Sequence, residues 1–275
     1  MRIFLCGDTL GVTQLLTHIP RKNVFGIIGS SLRPQYFDDL KKISIDTKVP
    51  FFIQPKLTSS TYKEFRSQIV ETNVDIILVN SYSMIIRDDI LSISRLGALN
   101  IHAGLLPRNR GCNPTQWAIL KNEFQAGVTL HEIDSGIDTG PIVDQREIPI
   151  YIDDTWLDIR DREFKAIDDI LKKNLKKILS GKWESRPQIN GMATTGYRRK
   201  PEDSQFTWSE KIVDIHNKIR ALVPPLPPAF YIRKDGKKVE HDKYLTPWEI
   251  TSLKYDPKVG GGSMKTDRIN LRPLR

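Results

Sequence analysis

Two side chains suited to work on a carbonyl, Asn100 and His102, stand two residues apart at the end of the apolar run A-L-N-I-H. If that run is a strand they share a face, because successive side chains point to opposite sides. An amide can donate a hydrogen bond to a developing oxyanion, and an imidazole can hold or pass a proton near neutral pH. What this pair lacks is a group that fixes the state of the imidazole. Asp138, in I-D-T-G, is the candidate, since a carboxylate beside a histidine favours the imidazolium and orients the ring. The three together suit acyl transfer. On residue pattern alone a plainer reading stands beside this one: Asn100 and His102 end a strand, and Asp138 opens a turn.

Such residues need a sheet to display them. Apolar runs at 1–6, 24–29, 49–53 and 74–79 read as strands, and the stretches 35–47 and 61–72 read as the helices that cross between them. The fourth run, V-D-I-I-L-V, has the near-continuous hydrophobicity of a buried parallel strand. This alternation predicts an α/β, doubly wound sheet with its ligands beyond the carboxyl ends of the strands. Val79, Asn100 and the turn before Asp138 would open on that edge. Gly7 and Gly11, in G-D-T-L-G-V-T, do not complete the dinucleotide-binding fingerprint. Further along, G-V-T-L-H-E-I-D alternates as a strand does, which puts His131 on its polar face, structural or exposed rather than catalytic. Another strand follows at 142–150, and then a helix over 155–179 that Gly181 ends. The basic run K-K-N-L-K-K-I-L-S-G-K reads as that helix's solvated face, with Ile170, Leu171, Leu175, Ile178 and Leu179 turned inward.

The string N-I-H-A-G-L-L-P-R-N-R-G, followed by G-V-T-L-H-E-I-D-S-G-I-D-T-G, resembles the formyltransferases that use formyltetrahydrofolate. That family includes glycinamide ribonucleotide, methionyl-tRNA and sugar-nucleotide formyltransferases. The resemblance is close over the N-terminal part of the chain and continues more weakly to about residue 231. It implies a Rossmann-like formyltransferase domain over 1–190, and a small C-terminal α+β or β-rich appendage over 191–275 with a helix and short strands. It also implies Asn100, His102 and Asp138 as the catalytic trio and 10-formyltetrahydrofolate as co-substrate, with no metal. Asn80, Ser81, Tyr82 and Met84, in N-S-Y-S-M, take the place where the family contacts the folate, and Asp134 and Gly136 join them.

The acceptor is harder to read. Asn109, Arg110, Asn113 and Gln116, in R-N-R-G-C-N-P-T-Q-W, are polar residues next to the trio in sequence, suited to orienting an amine. Trp117 either stacks on a flat base or anchors the helix that follows. The strings Y-R-R-K-P-E-D-S, F-T-W and H-N-K-I-R-A-L are similar to the corresponding part of formyltransferases that act on nucleotide-linked amino sugars. That implies a dTDP-, UDP- or GDP-linked deoxyamino sugar of the kind used in surface polysaccharides such as lipopolysaccharide O-antigen, and a homodimer joined through the carboxyl-terminal part. Arg198, Arg199 and Arg220 are each candidates for the phosphates, and each is equally suited to a surface ion pair. Two alternatives remain: methionyl-tRNA formylation, and a non-catalytic folate- or nucleic-acid-binding protein on the same scaffold.

Composition sets the outer bounds. The chain has 275 residues, 39% of them hydrophobic, and a formal net charge of +9, which suits anionic partners without choosing among folate, sugar nucleotide and tRNA. No apolar run approaches bilayer length, so no membrane role is expected, and the start M-R-I-F-L-C-G-D argues against secretion. Two cysteines without metal-like spacing, Cys6 in an apolar run and Cys112 after the L-L-P turn, fit a reduced cytoplasmic protein. The stretch 230–275 is expected to supply a few short strands at most, with G-G-G-S-M-K-T flexible. It is shorter than the complete second domain expected of a methionyl-tRNA formyltransferase.

Overall fold

The computed structural model describes residues 1–256 and Val259. The apolar runs fold as β1 Ile3–Gly7, β2 Val24–Ser30, β3 Phe51–Gln54, β4 Ile76–Asn80 and β5 Ala98–His102. β1 and β4 are buried on both faces and so carry no alternation of polar residues. After them come β6 Arg110–Gly111, β7 Gln125–Glu132, β8 Ile142–Pro149, β9 Thr195–Gly196, β10 Ala229–Ile232 and β11 Lys238–His241. The helices are α1 Thr9–His18, α2 Phe37–Thr47, α3 Tyr62–Glu71, α4 Asp88–Leu91, α5 Pro114–Leu120, α6 Trp156–Ser180, α7 Ile212–Arg220 and α8 Pro247–Tyr255.

Seven strands make one sheet in the order β3-β2-β1-β4-β5-β7-β8. β1 to β5 are parallel, and β7 lies antiparallel beside β5. This is the Rossmann-like, doubly wound arrangement expected from the alternation of runs. Its strand order reverses between β1 and β4, where such sheets collect ligands. Two glycines fit that junction closely: a Cβ on Gly7 or Gly11 would lie 2.3 or 2.2 Å from the Asn80 carbonyl oxygen. Between them Asp8 caps α1, accepting a 2.8 Å hydrogen bond from the Gly11 amide.

The chain packs into two compact units, each made from three separated segments. The first takes 1–107, 128–146 and 165–192, and the second takes 108–127, 147–164 and the chain from 193 onward. In the first, Phe4, Cys6, Ile28, Ile69, Ile77 and Val79 belong to one buried cluster. Along α6 the basic run behaves as expected: Ile170, Leu171 and Ile178 are buried, Leu175 and Leu179 half-buried, and Lys172, Lys173, Lys176 and Lys177 exposed. Gly181 ends the helix in the left-handed region at φ 69°.

The expectation of strands alone after residue 230 needs correction. The β10–β11 hairpin is there, but α8 follows it, opened by a reciprocal cap in which Thr246 and Glu249 each bond the other's backbone amide, at 3.2 and 2.7 Å. The signal was present as T-P-W-E, a capping threonine, a proline at the first helical position and a glutamate three residues after the cap. The G-G-G-S-M-K-T stretch lies outside the described residues.

In the second unit the Glu163 carboxyl, 4% exposed, accepts a 2.7 Å hydrogen bond from Thr115 Oγ1. Burial pushes its pKa up from 4.5 to about 8. The folded chain therefore keeps a proton that the unfolded chain releases. The associated stability is complete below pH 4.5 and is lost as pH rises toward 8, with a slope of about 1.4 kcal/mol per pH unit inside that window. Glu163→Gln, which cannot ionise, should remove that slope. Thermal unfolding of both proteins across this range checks the prediction, and a variant with the wild-type slope would contradict it.

Candidate active site

β5 and β7 bring the trio together with a fourth residue. Leu99 and Ile101 bury one face of β5, which leaves Asn100 and His102 on the other. In the antiparallel register Asn100 is opposite His131, and His102 is opposite Thr129. Asp138 arrives from the turn after β7, in the left-handed region at φ 53°. A non-glycine residue in that conformation is uncommon and costly, and such residues cluster where geometry serves function.

The distances define one polar cluster. Asp138 Oδ2 lies 3.5 Å from His102 Nδ1, and Oδ1 lies 3.5 Å from His131 Nε2. Asn100 Nδ2 is 3.1 Å from His131 Nε2 and 3.4 Å from Asp138 Oδ1. The two imidazoles stand almost perpendicular, at 82°. His131 Nδ1 is 2.7 Å from the backbone carbonyl of Glu132. A carbonyl only accepts, so Nδ1 carries a proton, and in that tautomer Nε2 accepts from the Asn100 amide. The amide nitrogen of Asn100 is thereby held toward His131 and Asp138.

His131 is the residue that sequence reasoning missed. It is 1% exposed and lies inside the cluster, so of the two expectations, structural or exposed, the exposed one is corrected. Alternation within β7 assigned the face correctly as that of Thr129; it carried no sign that β5 would pair with β7 and set Asn100 opposite His131. The turn has two further supports. Gln188 Nε2 donates to the Asp138 and Gly140 carbonyls at 2.9 and 2.7 Å. Gly140 admits no side chain, because a Cβ would lie 1.9 Å from the same Glu132 carbonyl oxygen that takes the His131 proton. Asp134 and Gly136 shape the start of the turn, with Asp134 Oδ1 accepting from the Gly136 amide at 3.1 Å and from Thr139 Oγ1 at 2.5 Å.

The proposed folate loop leaves the end of β4. Asn80 is buried, its amide 3.3 Å from Gln14 Oε1; Ser81 is left-handed at φ 55°, and its carbonyl accepts from the Asp8 amide at 3.1 Å. The Tyr82 hydroxyl donates to Gln54 Oε1 at 2.8 Å, and the Met84 sulfur is 3.9 Å from Ser31 Oγ. A small pocket opens beside this loop, lined by residues that include Gly7, Asp8, Ser30, Arg33, Ser81 and Tyr82. Burial raises the Asp8 carboxyl above the ordinary aspartate value, while its hydrogen bond from Gly11 and the charge of Arg33 act the other way.

The residues expected to meet the acceptor belong to the second unit and differ in their surroundings. Asn109 is 3% exposed and engaged by Glu123, Lys121 and Thr194, so it ties the segment together. Arg110 and Gln116 are buried, and Asn113 is exposed and left-handed at φ 55°. Trp117 packs on Tyr197 with 4.8 Å between ring centroids, its Nε1 donating to the Tyr197 carbonyl at 3.1 Å. Arg198 is exposed and Arg199 half-buried. Arg220 is fully buried and donates to the carbonyls of Tyr151 and Asp154 at 2.8 and 2.9 Å, which makes it a core strut.

Comparison with known proteins gives a consistent result. Residues 12–174 match the model of a family described as formyl transferase. The chain is 33% identical over 230 residues to the bifunctional polymyxin resistance protein ArnA of Wigglesworthia glossinidia brevipalpis, a match covering 82% of this chain and 34% of that protein. It is 32% identical over 161 residues to the methionyl-tRNA formyltransferase of Synechococcus elongatus, covering 58% of this chain and 49% of that one. The chain thus spans a third to a half of the length of these relatives. Among solved structures, WlaRD, a sugar 3N-formyl transferase crystallised in the presence of dTDP and 5-N-formyl-THF, superimposes with a TM-score of 0.63 at 25% identity, covering 80% of this chain and 78% of that one.

If His131 sets the direction of the Asn100 amide, His131→Leu should lower turnover in a formyl-transfer assay by up to about 100-fold, the scale of a small misplacement in an active site. His131→Gln, whose amide oxygen can accept the same bond, should retain more activity. Nitrogen NMR of the labelled wild-type ring should place the proton on Nδ1. A proton found on Nε2 would break this account.

Proposed function

Since the chain belongs to the formyl transferase family, we propose that it moves the formyl group of 10-formyltetrahydrofolate onto the amine of a nucleotide-linked deoxyamino sugar. The observation that carries the reading is the cluster at the end of β5, where one carboxylate lies within 3.5 Å of both imidazoles and of an amide. The likeness to WlaRD over most of both chains supports the sugar-nucleotide acceptor. In this reading residues 1–190 act as the catalytic domain, and the smaller region 191–275 serves the acceptor and a dimer.

Each side chain has a distinct role in the chemistry. The neutral amine attacks the formyl carbon, and a C–N bond forms as the carbonyl oxygen gains charge. Asn100 meets that oxygen with the amide hydrogen now held only by the long 3.4 Å contact to Asp138, while its 3.1 Å bond to His131 keeps the group aimed. Asp138 beside Nδ1 favours protonated His102, which shares the oxyanion. As the tetrahedral adduct collapses, the bond to the folate nitrogen breaks. Asp138 takes the amine proton, directly or through water, and the folate nitrogen recovers one from His102.

Methionyl-tRNA is the second acceptor to weigh, because a relative with that name is 32% identical over 161 residues, against 25% for WlaRD. Purified protein heated with UDP, dTDP, GDP or bulk tRNA, each with and without a folate analogue, separates the two. Ligands that bind the native state alone raise its apparent stability. A shift with one nucleotide is expected, and a salt-sensitive shift with tRNA alone would replace the sugar reading by the translation one. Asn100→Ala should remain folded with turnover lower by about 100- to 1000-fold, the usual cost of one oxyanion donor. Near-normal turnover would remove Asn100 from the mechanism.

A further inference from the structure

The three arginines considered for phosphate binding are not equivalent, and one has the surroundings of an anion site. Arg220 is fully buried, with its Nε directed to Asn217 and its Nη1 to the Tyr151 and Asp154 carbonyls. Arg198 is exposed. Arg199 is half-buried, yet none of the ion pairs among the described residues includes it. Its Nη2 donates to Ser204 Oγ at 3.1 Å, and its Nε is shielded from solvent with no hydrogen-bond acceptor among the described residues. Asp203, the carboxylate whose charge acts on it, is bonded instead by the Lys200 amide at 2.6 Å and the Tyr197 hydroxyl at 2.7 Å. Burial accordingly lowers the guanidinium pKa from its ordinary value.

A partly desolvated cation without a close counter-ion costs free energy, and an arriving anion recovers it. The wall beside Arg199 is built as well. Tyr197 is 54% exposed and rests on Trp117, and Gly196 is what permits that contact, since a Cβ there would lie 2.2 Å from the Trp117 ring. An exposed ring on a rigid support next to a guanidinium matches a ligand that is flat at one part and doubly anionic at another. A nucleoside diphosphate has that form.

We propose that Arg199 binds the diphosphate of the acceptor and that the Tyr197–Trp117 pair forms the wall against which its nucleoside lies. This rests on the sugar-nucleotide reading above and narrows it to one guanidinium, leaving Arg220 to the core. The binding step is charge-assisted hydrogen bonding, with no bond made or broken.

Calorimetric titration of the full chain with dTDP, UDP, GDP and inorganic pyrophosphate tests it, using wild type, Arg199→Gln and Arg199→Lys. For whichever nucleotide the wild type binds, Arg199→Gln should weaken binding about 10- to 100-fold, the scale of a lost charge-assisted pair. Arg199→Lys should fall between, because it keeps the charge and loses the fork. Affinity for 5-formyltetrahydrofolate should not change, and in turnover the acceptor KM should rise while kcat holds. As a measurement that needs no variant, the bound nucleotide should protect Arg199 of the wild type from phenylglyoxal, read by mass spectrometry. Wild-type nucleotide affinity in Arg199→Gln, or absence of protection, overturns the assignment and leaves the sugar-nucleotide reading standing. A wild type that binds tRNA and none of the nucleotides overturns both.

Discussion

A carboxylate within 3.5 Å of two imidazoles and an amide is the constraint around which the first unit is arranged. Asp138 is largely removed from water, with its side chain 15% exposed, so its charge has to be met by groups fixed in place. Those groups are Asn100 and His102 of β5, held in one register with His131 of β7, which takes a bond from the Asn100 amide. A slip of one residue in β7 would turn His131 to the other face of the sheet, away from Asn100. The antiparallel pairing of β5 with β7 is therefore a condition of the chemistry as much as of the fold.

The register itself is secured by polar groups near the cluster. Thr129, opposite His102, is fully buried; its hydroxyl donates to the Gly104 carbonyl at 2.6 Å and accepts from the Leu106 amide at 3.2 Å. Gln145 adds bonds to the Leu106 carbonyl and to Thr129, at 2.8 and 3.0 Å. The L-L-P turn is thus bound to β7 on its inner side, and β5 cannot shift along β7 without breaking buried hydrogen bonds that would go unreplaced.

The sheet was legible because strands buried on both faces are apolar over nearly their whole length, as in I-F-L-C and I-I-L-V. Asn100, His102 and Asp138 could be picked out by type and spacing, but the same pattern suits a strand end and a turn, and it was the family resemblance that gave them roles. His131 was not, since its position in the cluster depends on which strand covers β7 and in what direction, and G-V-T-L-H-E-I-D reads the same whichever neighbour it has. Arg198, Arg199 and Arg220 were indistinguishable for a similar reason. Burial and partners separate them, and both are set by segments far away in sequence, such as Tyr151 and Asp154 around Arg220. The helix α8 is a different case: its cap was written locally in T-P-W-E and was outweighed by the polar texture around it.

The glycines of the first turn bear on how the loop after β4 can move. Gly7 and Gly11 look like fragments of a phosphate-binding turn, yet the space left by their missing side chains is taken by the Asn80 carbonyl. The end of β4 is consequently wedged between β1 and α1, and the Asn80 amide bonds back to Gln14 of that helix. This makes Asn80 a fixed pivot, in the mechanical sense that a hinge pin is fixed while the leaf swings. The left-handed Ser81 that follows is tied as well, its carbonyl bonded by the Asp8 amide, so any movement of the N-S-Y-S-M loop has to begin beyond these two residues while its root keeps its place.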